Sequence, residues 1–399
     1  MNILFLTLIN INDIEESGIY QDLIRSFIKE NNNVYVVSPT ERRNKQATNL
    51  ISYDTHKILR VKTLNIQKTG LIEKVLSTLT IQRKFTKAIK KHLKDVKFDL
   101  IVYATPPITF SKTVKYFKKR DGATTYLLLK DIFPQNAVDL GMMAKTGIKG
   151  LIYKFFRKKE NNLYAVSDYI GCMSEKNVQY LLENNKEISQ DRVEVCPNSL
   201  EYKGDKIFDK KSIREKYGIP LDKKILIYGG NLGKPQCVDF IIECIKECSS
   251  NESVCFLVVG SGTEYYKLKN FEEEKAPNLI LKSHVSSEEF KELVSACDVG
   301  LIFLDKRFTI PNFPSRLLSY MTASLPVLAS TDVNTDIKDV IIANNCGWWC
   351  ESSDPKEFSK LVDEISGLDI KEIGENSLKC FLENYQAKDA CKKILSKVL

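Results

Sequence analysis

The sequence predicts an α/β protein built from two doubly wound parallel sheets, and three observations carry that prediction. Short β-rich runs alternate with stretches of helical period through both halves of the chain. A polar interruption containing Pro197 and Asn198, "VCPNSLEYKGDKIFDK" at residues 195–210, separates two such programmes. The 399 residues exceed what one ordinary core organises, whereas two domains of about 200 residues each fit.

In the first half, "NILFLTL" reads as a strand, followed by a helix from about Gly18 to Glu30 and a strand "VYVVS". Then come "FDLIVYA", a helix through "TFSKTVKYFKKR", "TTYLLLK", a long helix near 146–165, "DYIGCMS" and "VEVCP". The second half repeats the scheme with "KILIYG", "VCFLVVG", "LILKS", "VGLIFL" and "PVLAS". Such alternation predicts parallel sheets covered by helices on both faces. The expected organisation is 1–200, 201–375 and a terminal helical segment 376–399, with a cleft between the two sheets' domains. Ligands of such sheets sit beyond the carboxyl ends of the strands, so the loops there are where chemistry is sought.

Composition excludes several classes. With 43% apolar and 28% charged residues the chain is of globular type. Its longest apolar runs are strand-sized, too short to span a bilayer. "MNILFLTLIN" lacks a basic leader and a small-residue cleavage site and reads as a buried strand rather than a signal peptide. The eleven cysteines form no C-x-x-C pair. Cys244/Cys248 and Cys346/Cys350 are spaced i, i+4, but His56, His92 and His284 lie near neither pair, which points to reduced core thiols in a cytosolic protein. Residues 1–200 carry 32 Lys+Arg against 20 Asp+Glu, so the overall +8 hides a basic half facing an anionic partner.

The loop "YGGNLGKPQ", residues 228–236, resembles a phosphate cradle but not a P-loop: Tyr228 replaces the first glycine and Pro235 the magnesium-holding hydroxyl. What remains is a strand, a turn with Gly229, Gly230 and Gly233, and a helix expected near Pro235. Helix amides attract anions there and Lys234 adds a charge; a tight turn with a solvated lysine explains the same residues. In "VVGSGTEYYKL", Gly260 and Gly262 follow a strand, but Tyr265 occupies the third glycine position of a dinucleotide fingerprint. In "IPNFPSRLLSYMTASLPVLAS", Pro314 is expected to open a helix whose first amides, Ser315 and Arg316, face an anion. Arg316 adds a planar fork suited to a diphosphate, or is a plain surface cation. In the first half, Thr105 is placed to cap a helix after "LIVYA". Lys130 and Asp131 end another strand, as functional groups or as a mutual surface ion pair. Gly18 follows the first strand, where backbone must approach closely.

Taken together, "YGGNLGKPQ", "VVGSG", "LKDIFPQ" and "PSRLLSYMTASLPVLA" in two Rossmann-like domains resemble the GT-B glycosyltransferases of family 4. The branch that fits makes bacterial surface polysaccharides and includes N-acetylfucosamine transferases. The resemblance runs through the final helices, the last of which crosses back to the first domain in this fold. It implies a retaining transfer of a sugar from a nucleotide-sugar, a UDP-sugar, to a lipid-diphosphate-linked or glycan acceptor, without a metal or other cofactor. Donor contacts would come from Gly18, Gly230, Asn231, Gly233, Lys234, Gly260, His284, Ser315, Arg316 and Ser319, with the base near Lys282–Val285. Asp131, Lys130 and Lys234 would act at the reacting centre.

Two departures stand out. The family's E-x7-E glutamates correspond to Pro311 and Ser319, and its Arg…Lys pair to Asn231 and Gln236. They motivate an alternative, a catalytically silent GT-B partner of an active transferase. A UDP-sugar 2-epimerase of the same fold is a further alternative, disfavoured by the scarcity of histidines.

Residues 72–94 place Ile72, Val75, Leu76, Leu79, Phe85, Ala88, Ile89 and Leu93 on one helical stripe, with seven Lys/Arg against Glu73. That is a basic amphipathic helix for an anionic membrane surface or, equally, a core helix with a solvated outer face. Residues 145–159, with Lys149, Lys154, Arg157, Lys158 and Lys159 around Phe155 and Phe156, tilt the balance toward peripheral attachment at the inner face of the plasma membrane. No nucleic-acid recognition motif accompanies the charge.

Overall fold

A computed structural model describes residues 1–65, 71–204, 209–274 and 276–398; within the helix at 71–92, side chains are described from residue 80 onward. Ile72, Val75, Leu76 and Leu79 of the expected stripe therefore lie outside the described side chains. The chain divides into two compact units, residues 1–201 with 387–399, and residues 202–386. Within the segment 376–399, the helix Ala387–Leu395 belongs to the first unit, and the helix Lys371–Asn384 to the second.

The first unit is an eight-stranded sheet of β1 (Asn2–Leu6), β2 (Asn33–Glu41), β3 (Asn49–Ser52), β4 (His56–Thr63), β5 (Leu100–Ala104), β6 (Thr124–Leu129), β7 (Tyr169–Cys172) and β8 (Val193–Val195). Its order is β3-β4-β2-β1-β5-β6-β7-β8, parallel throughout except for the antiparallel edge strand β3. β1, β5 and β6 are buried apolar runs because helices cover both faces. On one face Ile81, Phe85, Ile89, Val114, Phe117, Leu163 and Leu181 pack against Leu4, Val37, Ile101 and Leu127. On the other, Ile24 and Phe27 meet Cys391 and Ile394 of the terminal helix. Buried Arg25 pairs with Asp22 and with Glu201, fastening the last residues of this unit to its first helix.

The second unit is a six-stranded, wholly parallel sheet: β9 (Lys224–Asn231), β10 (Val254–Ser261), β11 (Leu279–Lys282), β12 (Val299–Phe303), β13 (Val327–Thr331) and β14 (Gly347–Glu351). Its order, β11-β10-β9-β12-β13-β14, reverses direction between β9 and β12, the switch point where doubly wound sheets open a crevice. In the first sheet the corresponding reversal lies between β1 and β5. All eleven cysteines are free thiols, and ten of them are buried.

Candidate active site

In the second unit the loops after β9, β10 and β12 interlock at the switch point. The glycines of 229–231 continue β9 instead of leaving it: Gly230 is opposite Gly260 and Asn231 opposite Ser261. A Cβ on Gly260 would fall 2.0 Å from the Gly230 carbonyl oxygen, so Gly260 is required for strand apposition. Gly230 has φ +132, a conformation that side-chain-bearing residues rarely adopt. The helix expected near Pro235 starts later: Lys234–Gln236 is a 3₁₀ turn, Cys237 is left-handed, and the α-helix runs Val238–Glu247. The Leu232 amide donates to the Ser261 carbonyl, and the Asp305 amide to the Pro235 carbonyl at 2.9 Å. Three loops are thus held by main-chain hydrogen bonds, a preorganised frame rather than a loose turn.

Into this frame comes Arg316. The Leu317 and Leu318 amides donate to the Pro314 and Ser315 carbonyls, so a turn begins at Pro314, and the helix Arg316–Met321 that follows is only six residues long. The guanidinium lies over the Tyr228 ring, 4.4 Å from its centroid, and beside Gly230, where a Cβ would sit 3.3 Å from Nη2. Arg316 is therefore not a free surface cation: Nη1 is buried with no hydrogen-bond partner, as is Asn312 Nδ2 in the same segment. Buried N–H donors without acceptors are costly, so the unpartnered guanidinium N–H beside Gly230 makes this loop a candidate anion site. Tyr228 is itself fixed, its hydroxyl donating to the Asn231 carbonyl at 2.7 Å. Tyr320, one turn beyond Arg316, accepts the Gly229 amide and donates to Leu301. Gly229 and Gly300 have no room for a side chain, a Cβ meeting Phe290 at 2.1 Å and Tyr320 at 2.3 Å respectively.

The residues that replace the family's cationic pair contact each other: Asn231 Nδ2 donates to Gln236 Oε1 at 2.9 Å, and the Gly233 amide approaches the same oxygen. Gln236 thereby braces the loop where a cation would have reached outward. Lys234 is exposed and has no ion pair among the described residues. Ser315 and Ser319 are half-buried, and His284 is exposed in the loop after β11. Asp305, at the end of β12, is a buried carboxylate that Arg307 neutralises through two nitrogens; burial opposes its ionisation, but Arg307 holds its carboxyl below the usual range.

In the first unit, Lys130 and Asp131 leave β6 beside the switch point. Thr105 does not cap a helix, which starts only at Ser111; its buried hydroxyl accepts both the Lys130 and Asp131 amides, at 2.9 and 3.1 Å. Lys130 and Asp131 are not a mutual ion pair. Lys130 Nζ donates to the Cys196 carbonyl at 2.9 Å, and Asp131 accepts from Asn136 Nδ2 at 2.7 Å. Burial pushes the Lys130 ammonium down to about 8 and the Asp131 carboxyl up to about 6. Both thus titrate near neutrality, as acid–base groups do. Gly18 has extended backbone, φ 171, so its conformation does not require glycine; a Cβ there would displace only the end of Gln21.

Sequence reasoning missed the unpartnered Asn312 amide, Tyr228 as the shelf for Arg316, and Tyr320 as a brace of Gly229. Tyr228, directly preceding the glycine pair, was the available signal. Among the described residues no helix is long and apolar enough to cross a membrane.

The chain is similar in sequence and in fold to known glycosyltransferases. Residues 209–377 match the family model described as Glycosyl transferases group 1. The chain is 25% identical to a probable glycosyltransferase WbjE of Pseudomonas aeruginosa over 300 residues, covering 72% of this chain and 71% of that one. It is 22% identical over 248 residues to a putative colanic acid biosynthesis glycosyl transferase, WcaI, of Escherichia coli K12, covering 60% and 59%. The fold matches that of Anabaena Alr3699/HepE, solved in complex with UDP, with a TM-score of 0.69 at 12% identity over 100% and 99% of the two chains. The match to the group 1 glycosyl transferases thus covers most of the second unit, the fold is that of the GT-B glycosyltransferases, and the chain is a glycosyltransferase.

Proposed function

We propose that the protein is a retaining glycosyltransferase that moves a sugar from a UDP-sugar to a lipid-diphosphate-linked or glycan acceptor in bacterial surface polysaccharide assembly. The observation that carries this reading is Arg316, a cation with a buried, unpartnered N–H aimed beside Gly230 at the switch point. WcaI is named for colanic acid biosynthesis, and HepE was solved with UDP. In this reading the diphosphate takes the Arg316 and Asn312 donors and the Gly230–Gly233 backbone, with Lys234 closing over it. His284 lies beside the base, and Ser315 and Ser319 reach the ribose or sugar in place of the family's glutamates.

Stabilising the departing diphosphate is then the main catalytic work. The bond from the anomeric carbon to the diphosphate oxygen breaks as the acceptor oxygen bonds to that carbon from the same face. The acceptor's proton passes to the leaving oxygen, so no protein nucleophile is needed. Charge is met by Arg316 and Lys234, so no metal is invoked. Asp131 and Lys130 engage hydroxyls at the reacting centre. The test is turnover of labelled UDP-sugars by the purified protein with a bacterial lipid extract. Product of retained configuration is expected. An untouched donor would favour the silent-partner alternative, and a donor epimerised without acceptor the epimerase.

A further inference from the structure

The helix Gly147–Val166 has two different halves. Its second half is core: Glu160, Leu163, Tyr164 and Val166 are buried. Its first half turns large apolar side chains outward: Ile148 is 84% exposed, Leu151 67%, Ile152 48% and Phe155 43%. Their spacing, i, i+3, i+4 and i+7, makes a single ridge, and Met142 just before the helix adds a further exposed apolar group at 51%. Lys145, Lys149, Lys154 and Lys158 are exposed around the ridge, and Lys159 lies over the Phe155 ring. No acidic residue occurs between Asp139 and Glu160, and Glu160 is buried against Arg157.

We propose that this ridge inserts into an anionic lipid bilayer. An apolar ridge some 10 Å long, its own segment carrying cations and no acidic residue between Asp139 and Glu160, matches the acyl boundary and charged headgroups together. A second copy of the chain would bring one cationic fringe against another, which charge disfavours. The neighbouring helix Ser111–Asp121, on the same face of the sheet, extends the positive surface with exposed Lys112, Lys115 and Lys119 around Tyr116. Lys90 stands 3.6 Å over the Tyr116 ring. The helix Leu71–His92 contributes charge and no apolar insertion from residue 81 onward, because Ile81, Phe85, Ala88 and Ile89 are core. Residues 145–159, which tilt the sequence reading toward the membrane, carry the proposed insertion, whereas the described apolar side chains of 72–94, Ile81, Phe85, Ala88, Ile89 and Leu93, belong to the core. The inference deepens the proposed function by giving a lipid-linked acceptor its docking face, and rests on that reading only there.

The full chain is floated with phosphatidylcholine vesicles, with and without phosphatidylglycerol. Binding to the anionic vesicles, weakened by salt, is expected. I148S/L151S/F155S should lower the partition coefficient about tenfold or more, with thermal unfolding unchanged because the removed side chains are exposed. Leu151→Trp should gain bromolipid-quenchable emission beyond that of Trp348 and Trp349. Equal flotation of the triple variant, no preference for anionic vesicles, or a dimer that the triple variant abolishes would each overturn the inference. Transfer to a soluble glycan acceptor should persist in the triple variant, so loss of the membrane face and loss of the transferase reading are separable.

Discussion

Replacing Arg316 by methionine separates an arginine held for a ligand from one held for the fold. In the unliganded protein Nη1 is buried without a partner, a burden of about 1–3 kcal/mol. The stack on Tyr228, 4.4 Å away, returns about 0.5–2 kcal/mol, and a methionine thioether retains part of that contact. These terms nearly cancel, so Arg316→Met should leave unliganded stability within about 1 kcal/mol of wild type, or raise it. Binding behaves differently, because a charge-assisted hydrogen bond to the diphosphate is lost, about 1.5–3 kcal/mol or ~10–150-fold in UDP affinity. Chemical denaturation with and without UDP reads both quantities. At a UDP concentration of 100 times the wild-type Kd, the ligand stabilises wild type by about 2.7 kcal/mol and a variant binding ~30-fold more weakly by about 1 kcal/mol. A variant that loses about 2 kcal/mol or more without UDP, yet binds UDP as wild type does, would refute the argument.

Lys234→Ala should weaken UDP binding several-fold, with reduced salt dependence and unchanged stability, since the side chain is exposed and has no ion pair among the described residues; calorimetry at two ionic strengths checks this. Gly260→Ala drives a Cβ to 2.0 Å from the Gly230 carbonyl oxygen and should cost about 2–4 kcal/mol, measured by urea unfolding. Lys130→Met should stabilise the protein by about 2 kcal/mol at pH 7, the charge burden being set against the lost bond to Cys196. Because burial lowers Lys130 to about 8 from 10.5, the unfolded chain holds the extra proton between those values. Wild-type stability therefore rises with pH there, and the variant's advantage should fade by about pH 10.5. Asp131, raised to about 6 by burial, should put an acidic limb near pH 6 on kcat/KM, its carboxylate being the active form. Asp131→Asn should remove that limb and lower kcat/KM by about 100-fold.

The central parallel strands were legible because strands covered on both faces read as unbroken apolar runs, as "KILIY" and "VGLIF" do. The edges were not. β4, "HKILRVKT", alternates charge with apolar residues, and β3 and β14 are short strands on sheet margins. The glycine turn after β9 was legible, but its helix was expected too early, since β9 runs through both glycines and Cys237 turns left-handed first. That Arg316 stacks on Tyr228 follows from the strand order, which composition and spacing do not specify. In residues 72–94 the visible part of the apolar stripe proved to be core, whereas exposure, invisible in sequence, marks the ridge at Ile148–Phe155.

Calorimetric titration of the full chain with UDP, GDP and their sugars, repeated with Arg316→Met, tests the central claim most directly. The account predicts saturable binding that favours UDP and UDP-sugars and weakens ~10-fold or more in the variant. Nucleotide binding that ignores Arg316, or no discrimination between a uridine diphosphate and inorganic diphosphate, would contradict it.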